Sequence, residues 1–201
     1  MIKLFEEKKF NIPRLIGISD KAIEEHLKLY AGYVKNTNTI LTKIEEYAKD
    51  SEANAYALGE INRRFGFEFD GMRMHEYYFE QFPGGHNLIH DGGDPLERAM
   101  SLEWGSYDAW LNRFRAIALT RGIGWAVLYY DAREKRLLNA WIDEHQLGQL
   151  VGLELIIVLD MWEHAYFIDY TPAEKKKYID AFFANLNWQV CERVFEDAKR
   201  R

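Results

Sequence analysis

The 201-residue sequence predicts an α+β fold built from a helical hairpin, a linker, further helices, three short strands and terminal helices. Three observations carry this. Apolar residues recur at helical spacing through the N-terminal part; a stretch rich in glycine and proline then interrupts the chain; beyond it, short apolar runs of strand character appear before helix returns.

The first helix is read from "ISDKAIEEHLKLYAGYVKNTNTILTKIEEYAKD", where Ser19 is a good N-cap and apolar residues fall at 23, 27, 30, 34, 41 and 44. A second helical segment runs from Glu52 to about Phe82, and Gly66, Gly71 and the alternating "FGFEFDG" predict a break or bend inside it. The segment "FPGGHNLIHDGGDP" holds four glycines and two prolines in 14 residues, which places a boundary there. The expected division is a hairpin domain over 1–83, a linker over 84–95 and a second domain over 96–201. The second domain opens with helix in two pieces, "GSYDAW" restarting it. "GWAVLYYDAREKRLLNAWIDEH" then reads as a β-hairpin, "LELIIVL" as a third strand, and Thr171 with Pro172 as the start of the closing helices.

Composition narrows the function. A formal charge of −6 argues against a broad nucleic-acid surface, and no run approaches the roughly 18 to 20 apolar residues of a membrane span. "MIKLFEEKKF" lacks the apolar stretch of a signal peptide, so a soluble cytoplasmic protein is expected. Cys191 is the single cysteine, which excludes disulfides and thiolate zinc sites within one chain.

The third strand runs into "DMWEHAY", residues 160–166, and charge at the mouth of a buried segment is costly unless paired or bound to a metal. Asp160 and His164, four apart, offer one oxygen and one nitrogen donor. His26 shares a helix stripe with Tyr30 and Tyr33, and His75 one with Met72, Phe79 and Phe82. Each alone reads as a core histidine. Together with Asp160 and His164 they make three histidines and one aspartate, a set that suits a first-row transition metal with an open coordination position if the elements converge. His86 and His90 are also four apart, but their glycine-rich surroundings make them loop residues. A carboxylate-bridged di-iron bundle needs Glu-x-x-His repeats, and the sequence has none.

These residues resemble the iron/manganese superoxide dismutases. "DMWEHAY" is similar to that family's Asp-x-Trp-Glu-His-Ala-Tyr signature, and "FNIPRL", "SDKAIEEH", "GYVKNTN", "DGMRMHEYYF", "GSYDAW", "GIGWAVLYYD" and "FFANLNWQVCERVFEDAK" follow in the family's order. The resemblance implies a helical hairpin followed by an α/β domain with a three-stranded antiparallel sheet. It implies His26, His75, Asp160 and His164 as ligands of one iron or manganese ion, Tyr33 as the channel tyrosine, and Trp125 and Trp162 as cavity walls. Glu163 matches a glutamate that reaches a partner subunit's ligand histidine, so a homodimer through Glu163 and His164 is implied.

Three departures stand out. His26 to Tyr33 is seven residues where the family usually has eight, so matching back from "GYVKN" selects Glu25 as ligand and matching forward from "SDKAIEEH" selects His26. The family's channel histidine is missing, with Tyr30 or Ala31 nearby. Most members place a glutamine beside the metal-bound solvent; here Gly71 occupies the hairpin position and His145 the sheet position, unless His145 is an exposed strand-end residue. The implied reaction converts superoxide to oxygen and hydrogen peroxide. It needs a metal that changes valence by one electron, which iron and manganese do and zinc, calcium and magnesium do not. His145 and Tyr33 are the expected catalytic partners, with Lys28 and Lys175 as the cations that attract the substrate. The contrasting expectation is a catalytically idle dimeric relative with an incomplete shell.

Overall fold

The Ser19 hydroxyl accepts the Ala22 amide at 3.1 Å, and from that cap α1 (Asp20–Tyr47) runs 28 residues. The computed structural model describes residues 2–86 and 93–201. Ala22, His26, Tyr30, Val34, Thr37 and Ile40 form the buried stripe of α1, three or four residues apart as the helical period requires, and they face α2 (Ala55–Glu80). A 3₁₀ turn at Ala48–Asp50 reverses the chain between them.

The bend expected at Gly66 and Gly71 does not occur, because α2 is continuous from Ala55 to Glu80. Neither glycine has to bend a helix whose backbone bonds need no Cβ, and the alternating aromatics distribute around it instead of forming a strand. Phe69 turns to Phe5 at 5.7 Å between ring centroids, and Phe67 to His145 at 4.7 Å. The first helix is held from outside by the N-terminal segment. Phe5 and the Asn38 amide exchange hydrogen bonds of 2.8 and 2.9 Å, and the Lys8 amide donates to the Tyr30 hydroxyl at 2.9 Å.

Of the predicted linker, residues 87–92 lie outside the described residues, and His90 with them; His86 is exposed. Helix α3 (Pro95–Trp104) ends at Gly105 in the left-handed region, φ 92°, and Ser106 caps α4 (Tyr107–Ala118), so the restart read from "GSYDAW" is a C-cap glycine followed at once by an N-cap serine. The sheet has the order β2-β1-β3, antiparallel throughout, with β1 (Gly124–Asp131) central, β2 (Arg136–Asp143) joined to it by a tight turn, and β3 (Glu154–Asp160) on the far side. Nearly every residue of β1 is buried, as expected where both faces are covered. Helices α5 (Lys175–Asn185) and α6 (Trp188–Lys199) close the chain, and Thr171 with Glu174 forms the capping box that opens this segment.

The two halves meet along β3. The Gln81 side chain, just past α2, donates to the Val158 carbonyl at 2.7 Å and accepts the Val158 amide at 3.0 Å, replacing a strand partner at that edge. That joint sets the second half of α2 against the end of β3, where the histidines and the aspartate lie.

Candidate metal centre

At the end of β3, Asp160 lies directly opposite Trp125 of β1 and is fully buried. The Trp162 amide donates to its Oδ1 at 2.8 Å, which turns the chain and leaves Oδ2 facing inward. The 3₁₀ turn Glu163–Ala165 then brings His164 back, its Nε2 3.1 Å from Asp160 Oδ2. His26 from α1 places its Nε2 at the same distance from that oxygen, and His75 from α2 at 3.7 Å. The Nε2 atoms of His75 and His164 are 3.4 Å apart, and the donor atoms of all four residues lie within 4.8 Å of one another.

This arrangement fits a metal ion. Donors each about 2.1 Å from one ion stand about 3.0 to 3.6 Å apart at angles of about 90 to 120°, and about 4.2 Å when opposite. The observed separations fall close to that range. The protonation states agree as well. Burial lowers His26 and drives His75 well below the ordinary histidine range, so both rings are neutral with a lone pair to give. Burial opposes charge on Asp160 too, yet the neighbouring His164 and His26 hold its carboxyl far below the carboxylate range. The Gly71 carbonyl accepts from His75 Nδ1, which fixes the tautomer that leaves Nε2 free.

The sequence matches the family model for the C-terminal domain of iron/manganese superoxide dismutases over residues 92–194. It is 36% identical to an iron superoxide dismutase of Aquifex aeolicus over 192 residues, covering 92% of this chain and 88% of the relative. It is 35% identical to an iron superoxide dismutase of Cupriavidus metallidurans, with 93% of each chain covered, and 32% identical to a manganese superoxide dismutase of Haloferax volcanii, with 90% of this chain and 88% of the relative covered. The chain belongs to the iron/manganese superoxide dismutases. It is an oxidoreductase, and its reaction is the disproportionation of superoxide. The idle-relative expectation required an incomplete shell, whereas all four donors are together.

The one-residue shortening of α1 is resolved by its geometry. Seven residues are close to two full turns of a regular helix, so His26 and Tyr33 share a face. Glu25 lies on the exposed side, bonded to Lys28 at 2.9 Å, and is not among the converging donors. Tyr30 does not replace the missing channel histidine. Its hydroxyl accepts from the Lys8 amide and donates to Glu76 at 3.1 Å, on the side away from the donors.

Around the centre, His145 is fully buried rather than an exposed strand-end residue. The Trp125 indole, which can only donate, gives its N–H to His145 Nδ1 at 3.1 Å; burial lowers His145 to about 4, so the ring is neutral and its one proton sits on Nε2. Nε2 is 2.7 Å from the Tyr33 hydroxyl and donates to it, which leaves the Tyr33 proton free to point elsewhere. Trp162 stacks between His145 and His164 at 4.6 and 5.6 Å, with its indole N–H on the Glu144 carbonyl. The enzyme's Gly71 explains why no side chain enters from the hairpin: a Cβ there would stand 2.6 Å from the Tyr33 ring.

The cations expected to attract the substrate are placed otherwise. Lys28 is held by Glu24 and Glu25 at 3.0 and 2.9 Å on the exposed face of α1, and Lys175 lies over the Tyr166 ring at 5.7 Å. Sequence reasoning missed Phe67 of α2, which packs against His145 and Tyr33, and Arg64, which lies over the Phe67 ring. The only signal available was an aromatic and a cation three residues apart on a helix also carrying His75.

Asp70, next to Gly71, carries a cost of its own. Burial raises its carboxyl from 3.8 to about 6. Folded protein therefore binds more protons than unfolded between those values, and stability falls as pH rises through that window. Asp70→Asn is expected to raise stability at pH 8 by about 1 kcal/mol after allowing for solvent screening of a partly exposed group. It should also flatten the pH dependence between 4 and 6. Urea unfolding at pH 4.5 and 8 checks both.

Proposed function

We propose that His26, His75, Asp160 and His164 hold a single iron or manganese ion, and that Tyr33 and His145 manage the protons of the superoxide reaction there. The single observation that carries this is the convergence of one carboxylate oxygen and three imidazole nitrogens from four separate elements within 4.8 Å. A bound ion would supply the one-electron chemistry that conversion of superoxide to oxygen and hydrogen peroxide needs, and these four residues would hold it.

The chain's own residues supply the rest. Asp160 would bring one negative charge to a bound ion and the imidazole donors none, which would leave a net positive centre toward which a small anion is drawn. Burial pushes the Tyr33 hydroxyl above its ordinary value, so it stays protonated across the physiological range and is available as a donor. His145, neutral, binds the Tyr33 oxygen and fixes the direction of that donation. Trp125 and Trp162 wall the cavity and hold His145 in one tautomer and one plane.

The test is metal analysis of purified protein with a superoxide disproportionation assay. Iron or manganese near one ion per chain with activity supports the reading; a full complement of metal without activity sinks it. Replacing His145 by Gln should keep the metal and shift activity with iron relative to manganese, by about 10-fold or more for one of the two, the scale of losses at groups that orient metal ligands. Unchanged kinetics with either metal would remove His145 from this role.

We also infer a homodimer through Glu163 and His164. Glu163 is exposed, and Phe167 and Ile168 beside it remain 50% and 42% exposed, a large apolar surface for a position so close to the centre. Glu163→Ala should lower the mass measured by sedimentation to that of one chain; an unchanged mass would count against this contact. No helix among the described residues is long and apolar enough to cross a membrane. A cytoplasmic setting fits a lone buried cysteine, Cys191.

A further inference from the structure

A chain of net charge −6 that consumes an anion needs local positive potential where the substrate enters. Arg64 on α2 meets that need. Its guanidinium carbon lies 3.7 Å from the centroid of the Phe67 ring, and Phe67 packs edge-on against His145 at 4.7 Å and faces Tyr33 at 6.2 Å. Arg64 Nε and Nη2 both donate to Glu68 Oε1, at 3.0 and 2.8 Å, while Asn36 donates to the other carboxylate oxygen at 3.2 Å. The pair is ordered by depth: the Glu68 side chain is 7% exposed and that of Arg64 55%. The carboxylate lies beneath and holds the guanidinium in place through Nε and Nη2, so the outer, more exposed end of the pair is positive.

We propose that Arg64 captures superoxide at the mouth of the cavity and delivers it past Phe67 to Tyr33 and His145. This rests on the superoxide reading of the metal centre. Arg64 acts on the approach of the anion, so its removal should show in kcat/KM and in anion affinity, with the electron-transfer chemistry left intact.

The test compares Arg64→Gln with Arg63→Gln in metal-loaded enzyme. Arg63 is one residue away, pairs with Glu60 at 2.6 Å and changes the net charge identically. Arg64→Gln should lower kcat/KM about 3- to 10-fold at low ionic strength, and the gap should close as salt shortens the screening length. Metal content should be unchanged, and the dissociation constant for azide, followed by absorption, should rise about threefold. Arg64→Lys should retain most of both properties, since the charge remains. Arg63→Gln should alter neither by more than about 1.5-fold, as an exposed paired charge. Equal effects of Arg63→Gln and Arg64→Gln would show that only net charge matters and overturn the proposal. So would a loss that salt does not diminish, which would mark a structural role. If loaded wild-type protein is inert toward superoxide, the substrate reading fails, while the azide titration still decides whether Arg64 recruits anions.

Discussion

Asp160→Ala is expected to purify without iron or manganese and to lose superoxide disproportionation by more than about 100-fold, since changes merely in groups that orient metal ligands already cost 10- to 100-fold. Asp160 is the one anionic donor of the set, fully buried, with His26 and His164 both 3.1 Å from the same oxygen. Removing it would leave three imidazoles to hold a divalent or trivalent ion, with no carboxylate to offset the charge. His26→Ala should lose metal likewise, because its Nε2 faces the same oxygen, whereas Glu25→Ala should keep it, because Glu25 is turned to solvent and bonded to Lys28. Metal content by mass spectrometry, set beside activity, decides. Retention of a full ion in the His26 variant would return Glu25 to consideration.

Gly71→Ala is expected to destabilise the protein by about 1 to 3 kcal/mol and to lower kcat by about 10-fold or more while leaving metal content intact. In an exposed helix the same change would stabilise by nearly 1 kcal/mol. Here the added methyl would stand 2.6 and 2.8 Å from Cδ1 and Cε1 of Tyr33, a ring confined by His75 at 5.0 Å and His145 at 4.8 Å, so it has little room to yield. What moves is the phenol, away from the His145 proton that directs it. Thermal unfolding and steady-state kinetics give the two readings. A more stable variant with unchanged kcat would show that the ring shifts freely and that this contact does not position it.

Much of this molecule is local in origin and so could be read along the chain. Ser19 caps α1, Gly105 and Ser106 separate α3 from α4, and the hairpin of β1 and β2 falls where two apolar runs flank a short polar turn. The four converging side chains were legible too, because each lies on an apolar stripe or strand end where an unpartnered polar group is costly, and the "DMWEHAY" motif is long enough to be specific. The bend expected in α2 was misread for a physical reason: glycine weakens a helix only in proportion to what else supports it, and Tyr33 packs the space that Gly71 leaves. Lys28 was misread because position along the chain does not show that it lies on the exposed face of α1 between two carboxylates, Glu24 and Glu25, which together outweigh its charge.

By itself, the sequence determined the element order, the fold class and three of the candidate donors, His75, Asp160 and His164, since these follow from periodicities of a few residues and from the chemistry of individual side chains. Only the tertiary structure decided which of His26 and Glu25 faces inward, that the His145 proton sits on Nε2, that Gly71 makes room for Tyr33, and that Arg64 lies over the Phe67 ring. Those facts depend on contacts such as Tyr33 to His145, 112 residues apart in the chain. Long-range packing of this kind joins surfaces from different elements, and neither helical nor strand periodicity specifies which side chains will meet there.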